Sequence, residues 1–150
     1  MKNLSRTQKI LLGLVVLLLL SQFIPMDKTN PPVEAGKDFM QLTNAPAEVA
    51  SIIKDACYDC HSHTTKWPWY TNISPVKFWI RGHVRGGLQH LNFSEWANYP
   101  EDKQSHKMEE AYEEVEEQHM PMRSYTWMHP EAQLSAEQRQ TLIAFFKSQM

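Results

Sequence analysis

The seven residues CYDCHSH, 57–63, hold both cysteines of a 150-residue chain. Cys57 and Cys60 stand one helical turn apart, so on a helix both sulfurs emerge on the same side. His61 follows directly and His63 two residues later. Two thiols and an imidazole in that order have three chemical uses: a thioether clasp on a porphyrin, a zinc site, or a dithiol that exchanges disulfides. The remaining residues separate the three.

Helical periodicity surrounds the motif. In NAPAEVASIIKDAC (44–57), Asn44 reads as a cap, and Val49, Ile52, Ile53 and Ala56 form one apolar stripe leading into Cys57. SPVKFWIRGHVRGGLQHL (74–91) opens with Ser74 and Pro75 as cap and first helical residue, and Gly86–Gly87 are expected to fray or end that helix. DKQSHKMEEAYEEVEEQH (102–119) sets Met108, Ala111, Tyr112 and Val115 on one face, with six glutamates elsewhere. LSAEQRQTLIAFFKSQ (134–149) starts with a Ser135/Gln138 capping box and presents Leu142, Ile143 and Phe146 for burial. No window alternates as a strand would. The fold class is all-α: a small bundle of about four helices.

An all-α reading removes the support for disulfide exchange, because a thioredoxin-type dithiol sits beside a βαβ unit. Zinc needs four ligands, and Cys57, Cys60, His61 and His63 supply the number. Adjacent ligands at 60 and 61 do not match the paired spacings of structural zinc sites, and no second cysteine pair exists. C-x-x-C-H is the pattern of c-type haem attachment. Two thiols at that spacing add to the vinyl groups along one porphyrin edge, and the next imidazole meets the iron.

A distal ligand is sought in QHMPMRSYTWMHP (118–130). Met120 precedes Pro121 in a loop after the acidic helix, and a thioether opposite imidazole favours ferrous iron, as suits an electron carrier. Met122, His119, His83 and His90 are the rivals. Met122 and Met128 also read as core filler, and His83 as a packed histidine beside Trp79. His61 needs an acceptor for its other ring nitrogen, for which a carbonyl near Pro68 or Pro75 is expected. Trp67, Trp69 and Tyr70 read as walls of the haem pocket rather than an electron path.

Composition narrows the setting. Fifteen basic residues face 17 acidic ones, which excludes a nucleic-acid footprint. Lys2, Arg6 and Lys9 precede the uncharged run ILLGLVVLLLLSQFI (10–24), a positive flank and apolar segment of export type. With no A-x-A site after it, the run is expected to stay as a transmembrane anchor, with signal cleavage the alternative. Without those three residues the exported part carries 12 basic against 17 acidic residues, a net of −5. The expected organisation is an anchor over 1–25, a polar linker over 26–43 and a haem-binding domain over 44–150. The glutamates at 109–117 read as a solvated face, with steering of a basic partner the alternative.

CYDCHSHTTKWPWY, SPVKFWIRGHV, LNFSEW and MPMRSYTWMHPEAQLSAEQ together resemble the bacterial haem-binding domain proteins, related in design to class I c-type cytochromes. The likeness covers roughly residues 44–147. It implies one covalent haem c, with Cys57 and Cys60 as attachment sites, His61 as proximal ligand and Met120 as distal ligand. It also implies a redox partner such as a cytochrome c or a di-haem peroxidase. The expectation is a membrane-anchored, periplasm-facing electron carrier rather than an enzyme. A haem sensor or peroxidase-associated protein with an open distal site is the alternative, and a zinc-stabilised interaction domain is a third reading.

Overall fold

The computed structural model describes residues 4–150, so Lys2 of the basic flank lies outside the described residues. Among the described residues there are eight α-helices: α1 (Arg6–Gln22), α2 (Phe39–Leu42), α3 (Ala47–Ala56), α4 (Tyr58–His61), α5 (Val76–His90), α6 (Glu101–Glu116), α7 (Arg123–Thr126) and α8 (Ala136–Lys147). Short 3-10 turns occupy Trp69–Asn72, Phe93–Asn98 and Pro130–Ala132, and no strand occurs among the described residues. Four of these helices, α3, α5, α6 and α8, are those expected from periodicity. The count of about four was short because α2, α4 and α7 are single turns, too brief for a period to register.

The chain forms two compact units. The first comprises the residues up to Thr29 together with Trp67–His83. Its α1 starts at a Ser5/Gln8 capping box and buries none of its residues. A 17-residue helix is about 25 Å long, against roughly 30 Å of bilayer hydrocarbon. Among the described residues no helix is long and apolar enough to cross a membrane, so the expected transmembrane anchor lacks support. The end of α1 is stitched to the start of α5. The Ser74 hydroxyl donates to the Ser21 carbonyl (2.9 Å), and Ser74 N–H donates to Gln22 Oε1 (2.9 Å). The Lys77 ammonium, 3% exposed, donates to the carbonyls of Gln22 (3.2 Å) and Ile24 (2.7 Å). These are helix-terminal carbonyls without intrahelical partners, and a cation is the favoured group there. Ser74, expected as a cap for α5, serves α1 instead.

The second unit comprises Asn30–Lys66 and Val84–Met150. Its core gathers Phe39, Ile53, Phe93, Met108, Leu142 and Phe146, each almost fully buried. The apolar stripe of α3 is buried as expected, and α6 packs most extensively on α8 through Met108, Val115, Leu142 and Ile143. The Ser135/Gln138 capping box is present, with both bonds near 3 Å. Phe39 differs from expectation: it lies in the stretch read as linker, yet it is the hub of the aromatic core. Its ring stands 5.0 Å from Phe93 and 4.9 Å from Trp96. Asp38 caps the turn that presents it, accepting from Met40 N–H at 2.9 Å. A short helix with one large apolar residue leaves no periodic trace in a polar segment.

Asn44 does not cap α3. It adopts φ 48°, and Pro46 holds the cap position without a side-chain bond. Nor do Gly86 and Gly87 end α5, which continues to His90. Met128 is half exposed rather than core filler, a role Met108 takes.

Candidate functional site

Cys57 closes α3, and Tyr58–His61 form α4, so the motif is one tight turn hung from the buried helix. The Cys60 and His61 N–H groups both donate to the Cys57 carbonyl, at 3.2 and 2.9 Å. Ser62 ends the turn, its hydroxyl donating to the Tyr58 carbonyl at 2.8 Å. Both sulfurs are free and half-buried. Burial, and then the neighbouring Cys60, pushes the Cys57 thiol up to about 12; burial, and then Asp59, pushes Cys60 up to about 11. Both are protonated at neutral pH, the opposite of an activated redox thiolate.

His61 is the best-determined member. Its Nδ1 donates to the Leu91 carbonyl at 3.1 Å, and its ring edge faces Phe93 at 6.4 Å. Leu91 immediately follows α5, so this carbonyl is one of the acceptors a helix end leaves free. The acceptor is therefore neither Pro68 nor Pro75, as expected from sequence. Those prolines belong to the first unit, whereas α5 returns its far end to the motif. Burial lowers the affinity of His61 for a proton, with the Leu91 carbonyl opposing. With Nδ1 as donor on a neutral ring, the lone pair resides on Nε2, the nitrogen a metal takes.

Gly87 makes this approach feasible. A Cβ there would fall onto the Cys60 carbonyl oxygen, with the carbonyl carbon at 3.0 Å and the Cys60 Cβ at 3.2 Å. Sequence reading assigned this glycine to a helix end. Its work is a close backbone crossing, for which a local pattern offers no signal.

The two residues inside C-x-x-C face different partners. Tyr58 stacks on Phe93 (5.3 Å, 13°) and its hydroxyl donates to Asp38 at 2.9 Å. Asp59, 8% exposed, accepts from Lys66 N–H (3.0 Å) on one oxygen and from the Tyr125 hydroxyl (2.9 Å) on the other. Neither was singled out from sequence. The Asp-to-Tyr pairing spans 66 residues and has no short-range mark.

His63 is committed elsewhere. Asn92 Oδ1 accepts from Ser94 N–H at 3.1 Å, which orients the amide so that Nδ2 donates to His63 Nε2 at 2.9 Å. His63 Nδ1 then donates to the Pro32 carbonyl at 3.3 Å. With both nitrogens bonded, His63 cannot complete a Cys2His2 set with its neighbours. Among the described residues no group of three or more His, Cys, Asp or Glu side chains is placed to hold a metal ion. The zinc reading has no ligand set.

The distal candidates are sorted by burial. Met120 is half-buried against the core. Its N–H donates to the Glu114 carbonyl at 3.0 Å, and its carbonyl accepts from Arg139 at 3.3 Å. Met122 is also half-buried, and His90 is exposed. His119 is exposed and pairs with Glu117 at 3.2 Å and Glu114 at 3.6 Å. His83 lies in the first unit, its Nδ1 bonded to the Trp79 carbonyl at 2.8 Å, the packed histidine foreseen. Trp67, Trp69 and Tyr70 belong to the first unit too, and Trp69 is 71% exposed. The exposed ends of the glutamate series are partly paired, as at Lys147–Glu116 (3.7 Å).

Comparison with known proteins supplies one match. The model of the family described as "Haem-binding domain" matches residues 16–148, nearly the whole chain, and the chain belongs to that family. No curated protein and no solved structure matches it. The residues present fit a haem: two protonated thiols on one turn, followed by a neutral imidazole whose Nε2 carries the lone pair.

Proposed function

We propose that this haem-binding-domain protein is a monohaem c-type cytochrome that passes single electrons between redox partners outside the cytoplasm. The observation that carries the reading is the hydrogen bond from His61 Nδ1 to the Leu91 carbonyl, 3.1 Å, within the Cys57–Cys60–His61 turn. It fixes the tautomer and ring plane and raises ligand basicity, as a metal-binding histidine requires. Cys57 and Cys60 would hold the group by thioethers, His61 would be its proximal ligand and Met120 its distal one. A bound haem would supply one-electron iron chemistry, and with His61 and Met120 both holding the iron no place would stay open to a substrate; the domain would then be a carrier and not an enzyme. The chain's own part is to clasp, to orient the imidazole and to keep water out through Tyr58, Phe93 and Leu91. The redox partner is a protein of the cytochrome c or di-haem peroxidase type.

Export is part of the proposal. The basic flank and the exposed apolar surface of α1 suit a secretory segment, and the bonds of Lys77 and Ser74 to Ser21, Gln22 and Ile24 favour its retention. The haem domain would face the periplasm, held near the inner membrane by that segment.

The test is an absorption spectrum of the full chain, exported from a host with haem-maturation machinery, with a haem stain of the denatured chain. Haem that stays with the denatured protein, and is lost in the Cys57→Ala/Cys60→Ala double variant, supports covalent attachment. Haem that washes off the denatured chain overturns it. A ferric sulfur-to-iron charge-transfer band abolished in Met120→Ala supports the carrier. Rapid, tight carbon monoxide binding by the wild type would instead favour a sensor with an open distal site.

A further inference from the structure

Asp59 lies between the two cysteines, and both its oxygens are taken by named donors. Lys66 N–H binds Oδ1, and the Tyr125 hydroxyl binds Oδ2 at 2.9 Å while also reaching the Asp55 carbonyl at 3.4 Å. Burial, and then Asp59, pushes the Tyr125 phenol up, so its proton stays on the oxygen as donor. Tyr125 sits on α7, five residues after Met120. The path between them is short and bonded: the Met122 carbonyl accepts from Tyr125 N–H (2.9 Å) and Thr126 N–H (3.0 Å). The Tyr125 ring is stacked on His129 at 4.4 Å and 18°. Met120 itself is tied to α6 through Glu114 and to α8 through Arg139. The Asp59–Tyr125 bond adds a third tie, and this one reaches the proximal turn.

We infer that Tyr125 is a positioning residue, whose hydroxyl, held by Asp59, sets the place of the Met120 segment relative to the Cys57–His61 turn and so governs how firmly Met120 occupies the distal position. The inference rests on the reading of Met120 as distal ligand. The two ligating segments lie in the two separate stretches of chain that make up the unit, and one charge-assisted hydrogen bond registers one against the other. Removing the hydroxyl leaves a buried carboxylate oxygen without its donor and frees α7 to shift.

The experiment uses the full-length haem-loaded protein and imidazole as a competing ligand for ferric iron. Tyr125→Phe keeps the ring stack on His129. It is expected to retain covalent haem, to weaken the sulfur-to-iron charge-transfer band and to bind imidazole at least tenfold more tightly than wild type. Thr43→Ala, which loosens α2 of the same unit by removing the bond from the Thr43 hydroxyl to the Phe39 carbonyl (2.8 Å), should leave imidazole affinity unchanged and so separates positioning from general loosening. Asp59→Asn keeps one acceptor oxygen and should fall between; it carries the test should Tyr125→Phe not fold. Wild-type imidazole affinity in Tyr125→Phe, or in Asp59→Asn standing in for it, overturns the inference alone, provided that Met120→Ala binds imidazole more tightly. An unchanged band and affinity in Met120→Ala overturns the Met120 reading, and the inference with it.

Discussion

The Nδ1 atom of His61 lies 3.1 Å from the carbonyl oxygen of Leu91, 30 residues along the chain. Helix α5 ends one residue before Leu91, and Leu91 N–H still donates back to Gly87 at 2.9 Å. The carbonyl is therefore aimed by a rigid helix end and not by a loose loop. Asn92, next in sequence, is fixed in turn by the Tyr99 hydroxyl, which accepts its N–H at 3.0 Å.

Adjacent glycines should respond with opposite signs. Gly87→Ala drives a Cβ into the Cys60 backbone, which cannot swing aside as a side chain could. The clash is worth about 1–3 kcal/mol or more, against roughly 1 kcal/mol gained in helix propensity. Gly86 has open space around it, so Gly86→Ala should stabilise by up to about 1 kcal/mol. Thermal unfolding of the two variants checks this; equal shifts would contradict the crossing.

The thiols of the haem-free, reduced chain should alkylate slowly. At pH 8, Cys60 at about 11 has about a hundredth of the thiolate of an ordinary cysteine at 9.0. Greater intrinsic nucleophilicity recovers part of this, leaving iodoacetamide roughly tenfold slower than with a free thiol. The rate should keep climbing about tenfold per pH unit beyond pH 9, because deprotonation is incomplete until pH passes the raised value. A plateau near pH 9 would show that burial does not hold the proton on.

Asn92→Ala should cost about 2–4 kcal/mol in urea unfolding. It removes the acceptor of Ser94 N–H and the donor to His63 Nε2, whose remaining polar neighbour, the Glu95 carboxylate at 3.5 Å, is an acceptor and cannot replace the amide as donor. His63→Phe in the Asn92→Ala background should recover part of the loss, since it removes one of the orphaned groups.

Lys77→Met should loosen the end of α1. Both carbonyls held by the ammonium lose their donor, at a cost on the order of 2 kcal/mol for charge-assisted bonds. Limited proteolysis should then cut within residues 22–29, where the wild type resists. Equal resistance would mean that the Ser74–Gln22 bonds suffice alone.

How much was legible depended on the range of each cue. The stripe Val49, Ile52, Ile53, Ala56 and the Ser135/Gln138 box are read within one or two turns, and both are present as expected. Phe39 was missed because one aromatic in a polar stretch has no period. Gly87 was misassigned because a glycine pair near a helix end has a local reading, and that reading here loses to a close backbone crossing. The N-terminal apolar run was legible as a helix, but its 17 residues fall short of the expected span.

The sequence by itself determined the all-α class, the order of two thiols and an imidazole on one turn, and the uncharged, apolar character of residues 10–24. Helix periods, caps and motif spacing act between residues a few positions apart, so the linear order carries them. Tertiary structure alone decided that Leu91 holds His61, that Gly87 admits Cys60, that His63 serves Asn92 and Pro32 rather than a metal, and that Asp59 grips Tyr125. Each of these joins residues that are 27 to 66 positions apart, and only the packed core, with Phe93 and Phe39 at its centre, brings them within bonding distance.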